Sequence, residues 1–452
     1  LAYAVENQQK QWLYGGYSIK RRIKMERTYI KDIKVGETNK VKGFIENIRD
    51  KKTMAFIVVR DITGKIQVTI EKEKFPEIAK EIEGVLPHSV ITVEGPVVAN
   101  EFVKMGGVEM LPEKLTVESR AEALPLGPDA NIDTRLDYRW IDLRTEKNQL
   151  MFEMQTELVK AFREFCLERN FIEIHTPKLI ATASESGADV FELDYFDGKA
   201  YLAQSPQFYK QMAMASGFER IFESGPVFRA EKSNTNKHAT EFTGFDLEIS
   251  YIESYEDIMK FEEEMLAYAL EKVHAKYGEK CKEIFGKEIV VLTLPFPRIE
   301  LADLYAELKA MYGFEVPASE MNDLTTEAER LCKKYAMDKY GHEFLFVTDY
   351  PKDKRAFYHM RKDGIPQGYD LIWSGVEITT GAQREHRYDV LKAQAEEKGL
   401  DKDVKFYLEF FKYGCPPHGG FGLGVDRLTM ILTDYTIKEV EFLFRGPNRL
   451  TP

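Results

Sequence analysis

The spacing of apolar positions changes along the chain, and the change divides it. From about Tyr29 to Val117 apolar and polar residues alternate in short runs, KVKGFIENI, MAFIVVRD, KIQVTI, SVITVEGPVV and VEMLPEKLTV, parted by turn sequences such as DITGK. A period of two puts alternate side chains on opposite faces of a strand, so five strands are predicted, with KEKFPEIAKEI as a helix between the third and fourth. The stretch 118–143, rich in Pro, Gly and Asp, reads as a connector. From Thr145 to Arg169 apolar residues recur at helical spacing (Leu150, Met154, Leu158, Phe162, Phe165), and Asn170 suits the left-handed residue that ends a helix. FIEIHTP follows as a strand whose Pro177 belongs at an edge. The pattern therefore predicts an extension over 1–25, a barrel over 26–120, a hinge over 121–143 and a second domain over 144–452.

Five strands with a helix after the third describe the OB barrel, which often holds single-stranded nucleic acid. Phe56 and Gln67 fall on its adjacent second and third strands, where an aromatic ring and an amide suit an unstacked base. A ring at Phe56 suits a barrel core equally well. The first 24 residues carry Lys10, Lys20, Arg21, Arg22 and Lys24 against Glu6, which fits a basic arm on RNA and also a flexible tail.

Composition narrows the class. A chain of 452 residues exceeds one ordinary core, and 44% hydrophobic residues suffice to bury two. The net charge of -12 excludes a uniformly basic surface but leaves room for local basic patches. Four scattered cysteines without a CxxC pair point to buried free thiols rather than disulfides or zinc. No apolar run approaches the roughly 18 residues of a bilayer span, and the N-terminus lacks the order of a signal peptide, which points to the cytoplasm.

The second domain carries the chemistry. AQSPQFYKQMAMASG predicts a short helix with Ser205 as N-cap, Pro206 in the first turn and Gly217 at the end; Gln207 and Lys210 then share a face. PVFRA and EFTGFDLEI alternate as strands joined by a polar turn. Arg229 and Glu231 then project from one face of the first strand, and Phe242 and Asp246 from one face of the second. Arginine bridges phosphate oxygens bidentately, Lys237 and His238 on the turn meet further phosphates, and Phe242 offers a purine a flat surface. In YDLIWSGVEITTGAQREHR a turn at Ser374 and Gly375 pairs Trp373 with Val376 and Ile372 with Glu377. Asp370 and Glu377 come to one face, a hard-oxygen seat for magnesium, with Arg384 just beyond. PPHGGFGLGVDRLTMIL sets Gly419, Gly420, Gly422 and Gly424 before an amphipathic helix with Arg427 in its first turn. Its spacing is neither that of a Rossmann fingerprint nor that of a P-loop.

Together these segments resemble the class II aminoacyl-tRNA synthetases, specifically the aspartyl-tRNA synthetases of the archaeal and eukaryotic cytosolic kind, over about residues 27–452. FIEIHTPKL stands as motif 1, FRAEKSNTNKHATEF as motif 2, GFGLGVDRL as motif 3 and QSPQFYK as the aspartyl signature. The resemblance implies an α+β chain: an OB domain that reads the anticodon, a hinge, and a catalytic antiparallel sheet flanked by helices, homodimeric through motif 1. It implies an enzyme that activates L-aspartate with ATP and Mg2+ and charges tRNA(Asp), with tRNA(Asn) left open as a second acceptor. It assigns Arg229 to the α-phosphate, Glu231 and Phe242 to adenine, His238 and Arg427 to the γ-phosphate, and Asp370, Glu377 and Thr380 to magnesium. Glu185, Ser205, Gln207 and Asp246 match positions near the substrate ammonium and backbone, Lys210 and Arg384 the clamp on its side chain, and Phe56, Gln67 and Glu109 the anticodon readers.

Two converging cations suit an aspartate side chain, whereas asparagine would leave them under-neutralised. Lys237 stands where the family commonly has arginine, which keeps the charge and loses the planar fork. Three rivals are an asparaginyl-tRNA synthetase, disfavoured by Lys210; a tRNA-independent asparagine synthetase, which would lack the barrel; and a non-catalytic paralogue, which would have lost the motif arginines. The stretch 277–354 shows helical patterns such as DLTTEAERLCKKYA and no assignable chemistry.

Overall fold

The computed structural model describes residues 25–127, 129–182, 190–232 and 235–452, so the basic arm before Met25 lies outside the described residues. The chain divides into two compact units, residues 1–127 and 128–452.

In the first unit β1 (Thr38–Asp50), β2 (Met54–Asp61), β3 (Gly64–Glu71), β4 (Val90–Ala99), β5 (Val108–Met110) and β6 (Lys114–Ser119) run in the order β1-β2-β3-β5-β4-β6, and a further β1–β4 pairing closes the barrel. The helix α1 (Pro76–Glu81) lies between β3 and β4. The alternation predicted from MAFIVVRD is observed: Ala55, Ile57 and Val59 are fully buried, and join Val41, Ile66, Val68, Ile91 and Val93 in the core. The fifth predicted strand is split at residues 111–113 into β5, which pairs with β3 and β4, and β6, which pairs with β4. Pro112 lies in the gap, where a residue without an N–H interrupts a ladder.

The second unit opens with two short helices, Ile132–Asp137 and Arg139–Asp142, where the sequence read as connector. Arg139 is 1% exposed and donates to the carbonyls of Glu439 and Glu441, tying this segment to the end of the chain. The long helix α2 (Glu146–Leu167) is capped by Thr145, and Asn170 adopts φ 63° beyond its end. It leads to β7 (Ile172–Glu173), the helix α3 (Gln207–Ala215), β8 (Arg220–Phe228), β9 (Glu241–Ser250) and the 31-residue helix α4 (Tyr255–Phe285). Then come β10 (Arg298–Glu300), α5 (Leu301–Tyr312), α6 (Thr326–Tyr340), β11 (Phe344–Thr348), β12 (Gly368–Trp373), β13 (Val376–Arg384), β14 (His418–Gly424) and α7 (Val425–Thr433).

The eight strands run β10-β11-β12-β13-β14-β9-β8-β7. The six central strands are antiparallel, and the two outermost pairs, β10–β11 and β7–β8, are parallel. The twofold period of β9 explains its two faces. Phe245, Leu247 and Ile249 pack with Phe421 and Leu423 of β14 against α2 and α4. Phe242, Gly244, Asp246 and Glu248 therefore point to the opposite side, away from α2 and α4, where α3 packs beside them.

One buried acid lies on the packed side. Glu262 of α4 is fully buried, accepts the Tyr369 hydroxyl at 2.7 Å through Oε2, and has no partner for Oε1. Burial pushes its pKa up to about 8. The folded chain then keeps a proton that the unfolded chain loses near pH 4.5, so this group lowers stability as pH rises from about 4.5 to about 8, by at most ~1.4 kcal/mol per unit. Glu262→Gln is expected to become increasingly more stable than wild type across that window, as read by urea midpoints at pH 5 and 8. A constant difference would contradict it.

Among the described residues no helix is long and apolar enough to cross a membrane. Cys166, Cys281 and Cys332 are buried, Cys415 is half-buried, and all four thiols are free.

Candidate active site

That second face of the sheet holds a cavity of about 270 Å³. Ser205, Gln207, Lys210, Arg229, Glu231, His238, Phe242, Asp246, Glu377, Thr380, Arg384 and Arg427 all line it. Residues more than 200 positions apart in sequence thus meet at one place. Asp370 lies behind that lining, and Glu185 falls outside the described residues.

Local structure differs from the sequence reading at four points, one being that Arg384 is the last residue of β13 rather than beyond it. The helix α3 begins at Gln207 with Pro206 as its N-cap, one residue later than predicted, and the Ser205 hydroxyl accepts the Gln207 N–H at 3.3 Å. The strand β8 ends at Phe228, so Arg229 and Glu231 stand just past it rather than on its face. The Arg229 N–H still donates to the Thr240 carbonyl at 2.9 Å, which holds the arginine at the mouth of the hairpin. The remaining difference is a bulge. Trp373 pairs with Val376 and Ile372 with Glu377 as expected, through a turn with positive φ at Ser374 and Gly375; then Ile378 is passed over and Leu371 pairs with Thr379. The bulge places Thr380 opposite Asp370.

At one end of the cavity the groups suit a polyphosphate. The Arg229 guanidinium stands 5.5 Å from the Phe242 ring and 3.9 Å from Glu231, and its buried Nε has no protein partner. Arg427, in the first turn of α7, donates to the Glu377 carbonyl at 2.8 Å. Burial, reinforced by Arg427 and outweighing Glu231, holds the His238 imidazole below its ordinary pKa, so it is neutral at pH 7.

At the other end lies a buried charge cluster. Lys210, 1% exposed, has its ammonium 3.1 Å from Asp246 Oδ1, 3.1 Å from the Phe421 carbonyl and 3.4 Å from Glu248 Oε2. Arg384 donates through Nε to Glu248 Oε1 at 3.0 Å and through Nη2 to the Gly420 carbonyl at 2.9 Å. Burial by itself would raise the Glu248 pKa, but Arg384 and Lys210 outweigh it and hold the carboxylate ionised. Burial raises Asp246 despite Lys210. The reading of two uncompensated cations is therefore corrected: two buried carboxylates balance them before any substrate arrives. Glu248 was missed, although the alternation of FDLEI puts it on the face of Asp246.

The strand β14 forms the floor without side chains. A β-carbon at Gly420 would stand 2.0 Å from the Leu247 carbonyl oxygen, and one at Gly422 2.9 Å from Asp246 Oδ1.

The carboxylates proposed for magnesium are unequal. Arg355, unremarked in sequence, grips Asp370 bidentately at 3.0 and 2.7 Å, and the Thr380 hydroxyl donates to Asp370 at 2.9 Å. Glu377 remains the acid on the cavity wall, 3.5 Å from Thr380 Oγ1. Among the described residues no group of three or more His, Cys, Asp or Glu is arranged to hold a metal. This donor set fits an ion that keeps most of its waters and is bound chiefly through substrate phosphates, as magnesium is.

In the barrel Phe56 is half-buried on the outer face, not in the core, with the Arg49 guanidinium 5.5 Å from its ring. Gln67 is on the same side of β3, and its amide donates to Glu109 Oε2 at 3.3 Å. Asn100 donates to the other oxygen of Glu109 at 2.8 Å, and Asn100 Oδ1 accepts the N–H of Phe102, whose ring is 87% exposed. Sequence reasoning passed over Phe102, which interrupts no period.

Comparison with known proteins places the chain. The family described as tRNA synthetases class II (D, K and N) matches residues 131–445, and the OB-fold nucleic acid binding domain matches residues 40–118. An aspartate–tRNA(Asp/Asn) ligase of Methanopyrus kandleri is 46% identical over 92% of this chain and 96% of its own. The asparaginyl-tRNA synthetase of Pyrococcus horikoshii, solved with asparaginyl-adenylate, superposes with TM-score 0.86 at 33% identity, covering 95% of this chain and 100% of that one. The aspartyl-tRNA synthetase of Entamoeba histolytica gives TM-score 0.84 at 30% identity over 95% and 93% of the two chains.

Proposed function

Since the chain belongs to the class II tRNA synthetases of the D, K and N group, we propose that it is an aspartate–tRNA ligase, activating L-aspartate with ATP and esterifying tRNA(Asp). The observation that carries this reading is the meeting in one cavity of a phosphate-binding end, Arg229 and Arg427, with a carboxylate-binding end, Lys210 and Arg384. Relatives named aspartate–tRNA ligases, up to 46% identical over most of the chain, support the same reading.

In the proposed first step the α-carboxylate of aspartate attacks the α-phosphorus of ATP and pyrophosphate leaves. The nucleophile is already ionised, so no general base is required, and catalysis consists of alignment and charge stabilisation. Arg229, with its unpartnered Nε, takes the α-phosphate, while the Phe242 ring and the Glu231 carboxylate receive the adenine. Arg427 and His238 hold the far phosphates. Magnesium, when bound with the nucleotide at Glu377, neutralises phosphate charge; Asp370 and Thr380 support that wall, with Arg355 fixing Asp370. Gln207, Ser205, Asp246 and Glu185 receive the amino acid's ammonium and backbone. Lys210 and Arg384 turn hydrogen bonds from Asp246 and Glu248 toward its side chain. In the second step the 3′-hydroxyl of the terminal adenosine attacks the activated carbonyl and AMP leaves.

Phe56, Gln67 and Glu109 read the anticodon from the barrel, and the exposed Phe102 stacks beside them. Leu167 and Ile172, both about half exposed at the β7 edge, support a homodimer through motif 1. A cytoplasmic site follows from a role in protein synthesis. The printed name of the Methanopyrus kandleri relative includes tRNA(Asn), so that acceptor belongs in the test.

Pyrophosphate exchange driven by aspartate and not by asparagine, followed by charging of tRNA(Asp) and tRNA(Asn) transcripts, decides the reading; exchange driven by asparagine would overturn it. Gln67→Ala is expected to slow tRNA charging about tenfold by loss of base hydrogen bonds while sparing pyrophosphate exchange. Equal loss in both assays would remove Gln67 from the anticodon face.

A further inference from the structure

The stretch 277–354 offered no chemistry in sequence, yet one of its side chains reaches the nucleotide end of the cavity. Glu329 lies in the first turn of α6 and its side chain is 15% exposed. A single oxygen, Oε1, accepts the backbone N–H of Glu377 at 2.8 Å and the Lys237 ammonium at 2.9 Å. Glu377 and Lys237 both line the cavity, one from β13 and the other from the loop between β8 and β9. Two walls contributed by distant parts of the sequence are thus fastened to the same atom.

The consequence reaches the phosphate groups. Arg427 donates to the carbonyl of Glu377 at 2.8 Å, and Thr380 stands 3.5 Å from its carboxylate. Any shift of the Glu377 backbone therefore carries Arg427 with it. On the loop, Lys237 is adjacent to His238, whose ring meets the Thr235 hydroxyl and also lines the cavity. A lysine provides one compact charge that a single carboxylate oxygen satisfies, whereas a planar guanidinium would demand two acceptors.

We propose that Glu329 is a positioning residue for ATP: it latches the loop through Lys237 and the strand through Glu377, presetting the width of the triphosphate site. It touches neither substrate nor reacting atoms. By ordering these groups before binding it favours ATP association and leaves the chemical step unchanged. The inference rests on the cavity being the ATP site, as proposed above.

The test measures ATP and aspartate KM and kcat in pyrophosphate exchange, and ATP affinity by calorimetry, for Glu329→Ala, Glu329→Gln, Lys237→Met and the Ala/Met double variant. Glu329→Ala is expected to raise KM for ATP about tenfold, with kcat at saturating ATP within about threefold and KM for aspartate unchanged. Glu329→Gln retains an acceptor for the Glu377 N–H and loses the ion pair, so a rise of about threefold is expected. The double variant should bind ATP no more weakly than Glu329→Ala, because the Lys237 ammonium is engaged by Glu329 Oε1 rather than turned to the phosphates its sequence position suggested. An unchanged ATP affinity in Glu329→Ala overturns the proposal, as does a parallel fall in kcat and both substrate affinities with lowered thermal stability. If wild type shows no aspartate-dependent exchange, the functional reading fails while calorimetry with ATP still decides the latch.

Discussion

Arg229→Ala is expected to lower aspartate-dependent pyrophosphate exchange by roughly 1000-fold, with the thermal midpoint nearly unchanged, since one preorganised donor on a developing charge is worth about 100- to 1000-fold. The separation of activity from stability follows from what the side chain does in the substrate-free protein. Its side chain is 39% exposed, its Nε bonds to nothing, and Glu231 is 3.9 Å away, too far for a hydrogen bond. The bond that holds the hairpin mouth runs from the Arg229 backbone to Thr240 and survives truncation. Steady-state exchange kinetics beside a melting curve check the prediction, and near-normal exchange would remove Arg229 from the reaction.

Glu248→Leu is expected to act in the opposite way, on stability first. Glu248 is fully buried between Lys210 and Arg384, and its removal leaves two interior cations with only Asp246 for compensation. Breaking such a buried set by removing one partner costs about 3–5 kcal/mol. Leucine keeps approximate bulk, so the loss reports charge rather than a cavity. Aspartate should raise the melting temperature of the variant more than that of wild type, because its side-chain carboxylate enters next to the stranded cations and ligand binding stabilises by mass action. Equal denaturation midpoints for variant and wild type would show the cluster to be electrostatically slack. On the proposed reading the protein supplies stand-in carboxylates, Asp246 and Glu248, and an acidic substrate takes over part of their hydrogen bonding, so the pocket is never left unbalanced.

Much of this was legible because it is periodic or local. The barrel strands followed from alternation, α2 from the spacing of Leu150 to Phe165, and its end from Asn170. The hairpin at Ser374 and Gly375 was legible from its turn residues. What escaped was non-local. Arg355 and Glu329 carry no motif, and their partners Asp370 and Glu377 lie 15 and 48 residues away. The bulge at Ile378 and the break near Pro112 come from how neighbouring strands fit, which one strand's pattern does not contain. Glu248 was the exception: its face was readable, but an acid between two cations was not sought. The charge balance was therefore miscounted from sequence while the location of both cations was anticipated.

The bare floor at Gly420 and Gly422 restricts how this protein can diverge. A methyl group at Gly420 collides with the Leu247 main chain, so point mutations there yield broken proteins rather than altered preferences, whereas one at Gly422 displaces the Asp246 carboxylate. On the proposed reading, change of the accepted amino acid is channelled into the walls, at Gln207, Lys210 and Arg384, and a laboratory library aimed at a new substrate is best confined to those positions.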